Sequence, residues 1–275
     1  MVYTTKPPFG TQLDLTHPLN SGLAALWIFN EGTGNIVYDI SNNNNTGILT
    51  NMSFPSTPIS GWNPGLNEQP AIAFDAIDDN ISCRNSTSLN ITDPLTISAT
   101  FKVTNIGPNI YSTIIEKAGF GTAGNRRQYG LLIGDEKNSK WNELVFTYND
   151  GAWRSFRTTN AGITKNIWYK VVVIIHKTTP LTADFYLDGR LLSNIGYTPS
   201  NSLPLTNWDV KIGSAWFDDR PGFVFNGLID EVRIWNRELY LSETLTLNTN
   251  PYEMFIDARP PPCETPICDI MIIEG

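Results

Sequence analysis

Gly227-Leu228-Ile229-Asp230-Glu231-Val232-Arg233-Ile234-Trp235-Asn236-Arg237-Glu238-Leu239 is the stretch that decides the fold. Residues 228–235 have the β-branched and aromatic content of a strand. Just beyond lies the one helix the sequence offers: Ser242 is placed to cap residues 243–247, with Glu243 in the first turn, where the helix dipole favours negative charge. The 3.6-residue period is missing elsewhere. Outward from this stretch, short β-type segments alternate with turn chemistry. Asn149-Asp150-Gly151 separates 144–148 from 153–157, and Asp188-Gly189 separates 184–187 from 190–192. Both are hairpin signals, because Gly and Asn readily accept the positive φ of a tight turn. Residues 168–175 read as a central strand, and 210–213 with 228–235 as a late pair. Many short strands at roughly 8–12-residue spacing, with no crossover helices, predict an all-β, two-sheet antiparallel sandwich and exclude a parallel α/β fold.

Composition supports a packed domain. The 275 residues are 41% hydrophobic and 11% aromatic, enough for a core. Charged residues are only 17%, below the roughly 25% usual for soluble domains. Asparagine supplies much of the missing polarity, with 28 residues. A net charge of −8, with scattered Lys and Arg, excludes nucleic acid as a partner. No apolar run approaches the roughly 20 residues of a membrane helix. The run 22–29 follows Pro7, Pro8, Asp14 and Pro18, with Lys6 as the nearby positive charge, and reads as a buried strand rather than a signal core. The chain divides into an extended, Pro-rich N-terminal arm (1–21), a sandwich (22–250) and a second extended arm (251–275) containing Arg259-Pro260-Pro261-Pro262. Both arms are expected to be dispensable for folding and to serve assembly. Cys263 and Cys268 form either a local bridge or two free thiols, and no histidine neighbours them to make a zinc site.

Several pieces, in order, resemble laminin-G-like domains, the concanavalin A-like jelly rolls. The decisive stretch with Ser242-Glu243 is similar to their closing strand and helix. Leu26-Trp27-Ile28-Phe29-Asn30-Glu31-Gly32 is similar to the opening strand, and Asp39-Ile40-Ser41-Asn42-Asn43-Asn44 to a characteristic loop. Phe74-Asp75-Ala76-Ile77-Asp78-Asp79-Asn80-Ile81 resembles a second loop, with Ala76 where glycine is usual and Asn80 where an aromatic is usual. Leu95-Thr96-Ile97-Ser98-Ala99, Trp168-Tyr169 and Phe185-Tyr186-Leu187-Asp188-Gly189 complete the match over 22–247. The flanks, Lys6-Pro7-Pro8-Phe9-Gly10 with His17-Pro18-Leu19 and Asn250-Pro251-Tyr252-Glu253-Met254-Phe255, resemble laminin-G-like proteins of tailed bacteriophages. That likeness implies a virion-surface protein, made in the host cytoplasm, that docks on other virion proteins through its arms and self-associates.

Candidate chemistry follows from residue type. Glycosidases of this fold set carboxylates two and four or five apart on one strand, and no such spacing occurs. Asp75, Asp78 and Asp79 are wrongly spaced for it, and His17 and His176 lack a nucleophile elbow. The resemblance implies a structural calcium joining Asp39 and Asn43 to Asp230, an oxygen-ligand set suited to a hard cation. Saccharides stack on aromatic faces, and the loop residues Trp62, Trp141, Trp153, Trp208 and Trp216 are the expected platforms, with Arg126, Arg127 and Arg220 near them in sequence. Trp27, Trp168 and Trp235 are expected in the core. The expected function is a non-enzymatic virion decoration displaying a glycan-binding domain. The alternatives are a secreted or cell-surface carbohydrate-binding module and, behind it, a polysaccharide-degrading enzyme.

Overall fold

A computed structural model describes residues 3–105, 111–121, 124–134, 143–217 and 220–256, the side chains of 120–126 and 216–222 aside. Two antiparallel sheets face each other across one large apolar core. The eight-stranded sheet runs, in order, Arg190–Leu192, Thr182–Leu187, Trp168–His176, Leu95–Val103, Asn226–Trp235, Pro70–Asp75 and Gly61–Pro64, with Leu23–Trp27 also paired to Asn226–Trp235. The nine-stranded sheet runs Asn194–Tyr197, Trp153–Thr158, Leu144–Asn149, Gly124–Gly134, Tyr111–Gly121, Val210–Ile212, Asn80–Cys83, Gly47–Thr50 and Ile36–Val37. The expected late pair is corrected here: Val210–Ile212 and Asn226–Trp235 lie in different sheets. Both hairpins form where turn chemistry places them, and Asp188 (φ 49°) and Gly189 (φ 76°) take the left-handed conformations that their turn needs. Ala76 (φ 68°) also adopts one, which explains why glycine is usual at that position.

Alternation fails in the strands that are covered on both sides. Leu23–Trp27 is buried throughout, and Trp168–His176 sends Val171, Val173 and Ile175 into the main core but Val172 and Ile174 the other way. A strand buried on both faces reads as a continuous apolar run rather than an alternating one. The second cover is the chain's own ends. Leu13 and Leu19 from the N-terminal segment, and Tyr252, Met254 and Phe255 from the C-terminal one, join Leu26, Val172, Ile174 and Trp235 in a separate apolar cluster. Gln12–Leu13 pairs with Phe255–Ile256, and the Trp235 indole donates to the Leu19 carbonyl at 2.7 Å. The expected free N-terminal arm is therefore part of the domain, because its leucines have an apolar sheet face to cover. Cys263, Cys268 and the proline run lie outside the described residues.

Under this cover sits a row of buried charge. Glu231 takes Lys170 Nζ and Thr100 Oγ1 (3.0 Å) on one oxygen and Arg233 Nη2 (2.7 Å) on the other. Burial alone would raise the Glu231 carboxyl, but the charges of Arg233 and Lys170 hold it well below the usual carboxylate range. Arg233 also lies 5.6 Å from the Tyr252 ring centroid and meets the Met254 sulfur at 3.3 Å, so the row grips the C-terminal segment. The helix spans Leu241–Thr249, and its cap differs from expectation: Tyr240 is the capping position, and Glu243, rather than Ser242, satisfies it by accepting the Tyr240 amide at 2.8 Å while pairing with Arg237. No helix among the described residues is long and apolar enough to cross a membrane.

Deleting residues 1–21 uncovers the apolar cluster and strips Lys6 from its buried partner. A loss of more than about 5 kcal/mol is expected, since each buried leucine alone contributes about 2–5; circular dichroism and solubility of the truncated chain check it. Glu231→Gln is expected to cost about 3–5 kcal/mol at neutral pH by leaving two buried cations undercompensated. Glu231 has a depressed folded pKa, so its contribution is complete above the unfolded value of about 4.3 and is lost as pH falls through the folded one. Denaturant titrations of variant and parent should therefore converge in acid.

Candidate functional site

The outward face of the nine-stranded sheet is set by alternation. Tyr129, Leu131, Ile133, Leu144, Phe146, Tyr148 and Phe156 point into the core. Their strand neighbours Val145, Thr147, Asn149, Trp153, Ser155 and Arg157 must then point outward. Register brings rows together across the sheet: Trp153 lies beside Asn149 and Asn149 beside Arg127, while Ser155 lies between Thr147 and Tyr197. At the open side stand Trp153, 49% exposed, and Tyr197, 52% exposed.

Buried charge supports these rings. The Arg127 guanidinium lies 5.0 Å from the Trp153 ring centroid and pairs with Glu116 at 2.8 Å, both ions being almost wholly buried. Its Nε is buried with no hydrogen-bond partner. Arg157 sits between two rings, 5.8 Å from Tyr111 and 5.4 Å from Tyr197, and donates to Ser155 Oγ at 3.1 Å. A cation over an aromatic face contributes about 0.5–2 kcal/mol and holds the ring in place. The far side is walled: Phe223 meets Tyr111 edge-on at 5.3 Å, and the hairpin of Ala215–Phe217 and Arg220–Gly222 packs on the strand Tyr111–Gly121. Lys211, level with Glu116, is pushed down to about 8 by burial, against the charges of Glu116 and Asp209. The result is a fixed aromatic platform resting on buried Thr147, Asn149 and Ser155, with the half-buried Arg157 guanidinium alongside it, a surface suited to a polar ligand with apolar faces.

The expected platforms separate. Trp153 alone is placed on this face with its ring described. Trp62 is 9% exposed and its indole donates to the Gly34 carbonyl at 2.8 Å, a structural role. Trp208 lies against Gly119 and opens on a separate cavity of about 330 Å³ lined by Leu205, Thr206 and Asn207. Trp141, and the side chains of Trp216, Arg126 and Arg220, lie outside the described residues. Trp27 and Trp235 are core, but Trp168 is half-buried on the outer face of the other sheet, under Lys102. Composition and spacing did not single out Tyr197, Arg157 or Tyr111; the alternation about Phe156 was the available signal.

The residues of the expected calcium site have other partners. Asp39 accepts four bonds from its own neighbourhood, from the Leu26, Ser41 and Asn45 amides and the Ser41 hydroxyl, each at 2.9 Å. Asn43 donates to the Leu23 carbonyl at 2.9 Å. Asp230 pairs with Lys6 at 3.0 Å, and the Lys6 ammonium also donates to the carbonyls of Asp230 (2.9 Å) and Pro70 (2.5 Å). A lysine thus fills the oxygen cage beside Asp230. Burial pushes Lys6 down and Asp230 up, each opposed by the other's charge.

Two antiparallel layers with a broad aromatic and polar face define a lectin-like jelly roll. Residues 75–243, more than half of the chain, match the family model of the concanavalin A-like lectin/glucanases superfamily, and the chain belongs to that family. Among solved structures, it resembles domain 4 of an extracellular arabinanase from Geobacillus stearothermophilus, in complex with arabinotriose, at 17% identity and a TM-score of 0.59, over 82% of this chain and 98% of that one. It resembles Trypanosoma rangeli sialidase in complex with sialic acid at 16% identity and a TM-score of 0.58, over 93% of this chain but 37% of the sialidase's length. The binding domain of paraclostridial mosquitocidal protein 1 is similar at 17% identity and a TM-score of 0.59, over 84% of this chain and 52% of that one. No curated protein sequence matches the chain. At these identities the likeness is one of fold, which enzymes and binding domains share.

Lys6→Met is expected to leave Asp230 with the Leu66 amide (3.2 Å) as its remaining side-chain partner, at a cost of about 3–5 kcal/mol at neutral pH. The loss should shrink in acid as the Asp230 carboxyl, already pushed up by burial, takes a proton; urea denaturation at two pH values checks this.

Proposed function

We propose that the chain is a non-enzymatic carbohydrate-binding domain that takes saccharides on the outer face of its nine-stranded sheet. The observation that carries this reading is the Trp153 ring, half exposed yet fixed from one side by a buried guanidinium, with Tyr197 paired to Ser155 further along the same strand. An apolar pyranose or furanose face stacks on Trp153, and the half-buried Arg157 serves the hydroxyls, while buried Asn149 and Ser155, bonded to the Gly151 amide and to Arg157, hold the rows beneath. Preorganised rings lose little conformational freedom on binding. The arabinotriose held by a domain of the same fold supports the ligand class. The absence of catalysis is argued from the ion pairing of the acids on this face: Glu116 is buried and tied to Arg127, and Glu143 faces Arg157 at 3.8 Å, whereas glycoside hydrolysis uses two carboxyl groups about 5–9.5 Å apart across the scissile bond. Display on a phage particle, implied by the flanking motifs, belongs to the same proposal, with glycan capture as the decoration's task.

A glycan array followed by calorimetry tests the reading. Trp153→Ala is expected to weaken binding at least about tenfold (about 1.4 kcal/mol), Tyr197→Ala to weaken it less, and neither to lower the melting temperature by more than about 2 °C, because both rings are exposed. Captured saccharide should be recovered intact. Binding unaffected by Trp153→Ala, or cleavage of the saccharide, would overturn the proposal.

A further inference from the structure

The loop that joins Pro70–Asp75 to Asn80–Cys83 gathers Asp75, Asp78 and Asp79, with one carboxylate oxygen of each within 4.8 Å of the others. The loop's own bonds use only part of their capacity. Asp75 Oδ1 accepts the Ile77 amide at 2.8 Å, and Asp79 Oδ2 accepts the Asp75 amide at 3.1 Å. Asp79 is 1% exposed, and its Oδ1 is buried with no hydrogen-bond partner. A buried carboxylate held close to two further carboxylates is costly unless a cation meets them. Neighbouring Asn80 repeats the pattern: it is 3% exposed, its Nδ2 donates to the Asp78 carbonyl at 3.0 Å, and its Oδ1 is buried without a partner. No lysine or arginine pairs with any of the three carboxylates among the described residues. Lys211 shares a cavity of about 350 Å³ with Asp78 and Asn80, but the charges acting on it are those of Glu116 and Asp209.

We propose that Asp75, Asp78 and Asp79 form a binding site for a hard divalent cation, calcium by preference. Three carboxylates and the adjoining oxygens match the all-oxygen, irregular coordination that calcium accepts and magnesium does not. Asp75 and Asp78 are half-buried, so the group is open to an ion from solvent. The electrostatics agree: burial, with the charges of Asp75 and Asp78 added, pushes the Asp79 carboxyl up to about 6, against the opposing pull of the Ser60 hydroxyl. The site lies apart from the Trp153 platform and stands independently of the saccharide reading.

Thermal unfolding of the full chain at pH 7.5, with EDTA or with CaCl₂, tests the site. With a dissociation constant of about 10⁻⁴ M, about 5 mM calcium raises the melting temperature by about 5 °C. MgCl₂ raises it far less. Asp79→Asn should be no less stable than the parent in EDTA and should lose the calcium shift. Asp78→Asn, whose carboxylate accepts no hydrogen bond among the described residues, should lose it too and covers the case in which Asp79→Asn fails to fold. A parent indifferent to calcium by both melting and calorimetry, or a shift preserved in Asp78→Asn, overturns the proposal.

Discussion

The buried row Lys170–Glu231–Arg233 is the constraint on which the outer side of the eight-stranded sheet depends. Charges that deep are tolerated only when fully paired and covered. The pairing comes from the closing strand and its neighbours, and the cover comes from the two ends of the chain. Tyr252 and Met254 close over Arg233, and Leu13 and Leu19 close over the apolar residues beside it. Lys6 repeats the arrangement one step away, at Asp230, where the register of Asn226–Trp235 shifts between Ile229 and Glu231. That irregularity lets Ile229 and Val232 both face the core while Glu231 and Arg233 face the terminal segments.

The same strand explains how much of the fold was legible in the sequence. Hairpins at Asp150-Gly151 and Asp188-Gly189 were readable because a positive φ restricts the residue type there. Central strands were readable because burial on both faces leaves continuous apolar runs at 23–27 and 171–175. The role of the N-terminal segment was not. Prolines and an absence of period describe its local conformation truthfully, but Leu13, Leu19 and Lys6 are too widely spaced to announce a common surface, and their partners lie more than 200 positions away in Trp235 and Asp230. The sheet pairing of Val210–Ile212 was hidden for a similar reason: strand order is a long-range property that three residues do not encode.

The candidate site was partly legible. Reading tryptophans in loops as platforms marked Trp153, but the same rule marked Trp62, whose indole is absorbed by the Gly34 carbonyl. What separates the two is the face each occupies, and that depends on tertiary register. The oxygen-rich loops were visible as composition; which loop retains unspent carboxylate oxygens was not, because Asp39 spends its capacity on four local donors and Asp79 does not.

The pairing of Gln12–Leu13 with Phe255–Ile256 sets a direction for the whole molecule. This clasp lies on the outside of the eight-stranded layer, and Trp153 and Tyr197 stand on the outside of the opposite layer. A partner seated on the clasp would hold the domain by its back and leave the aromatic platform facing outward.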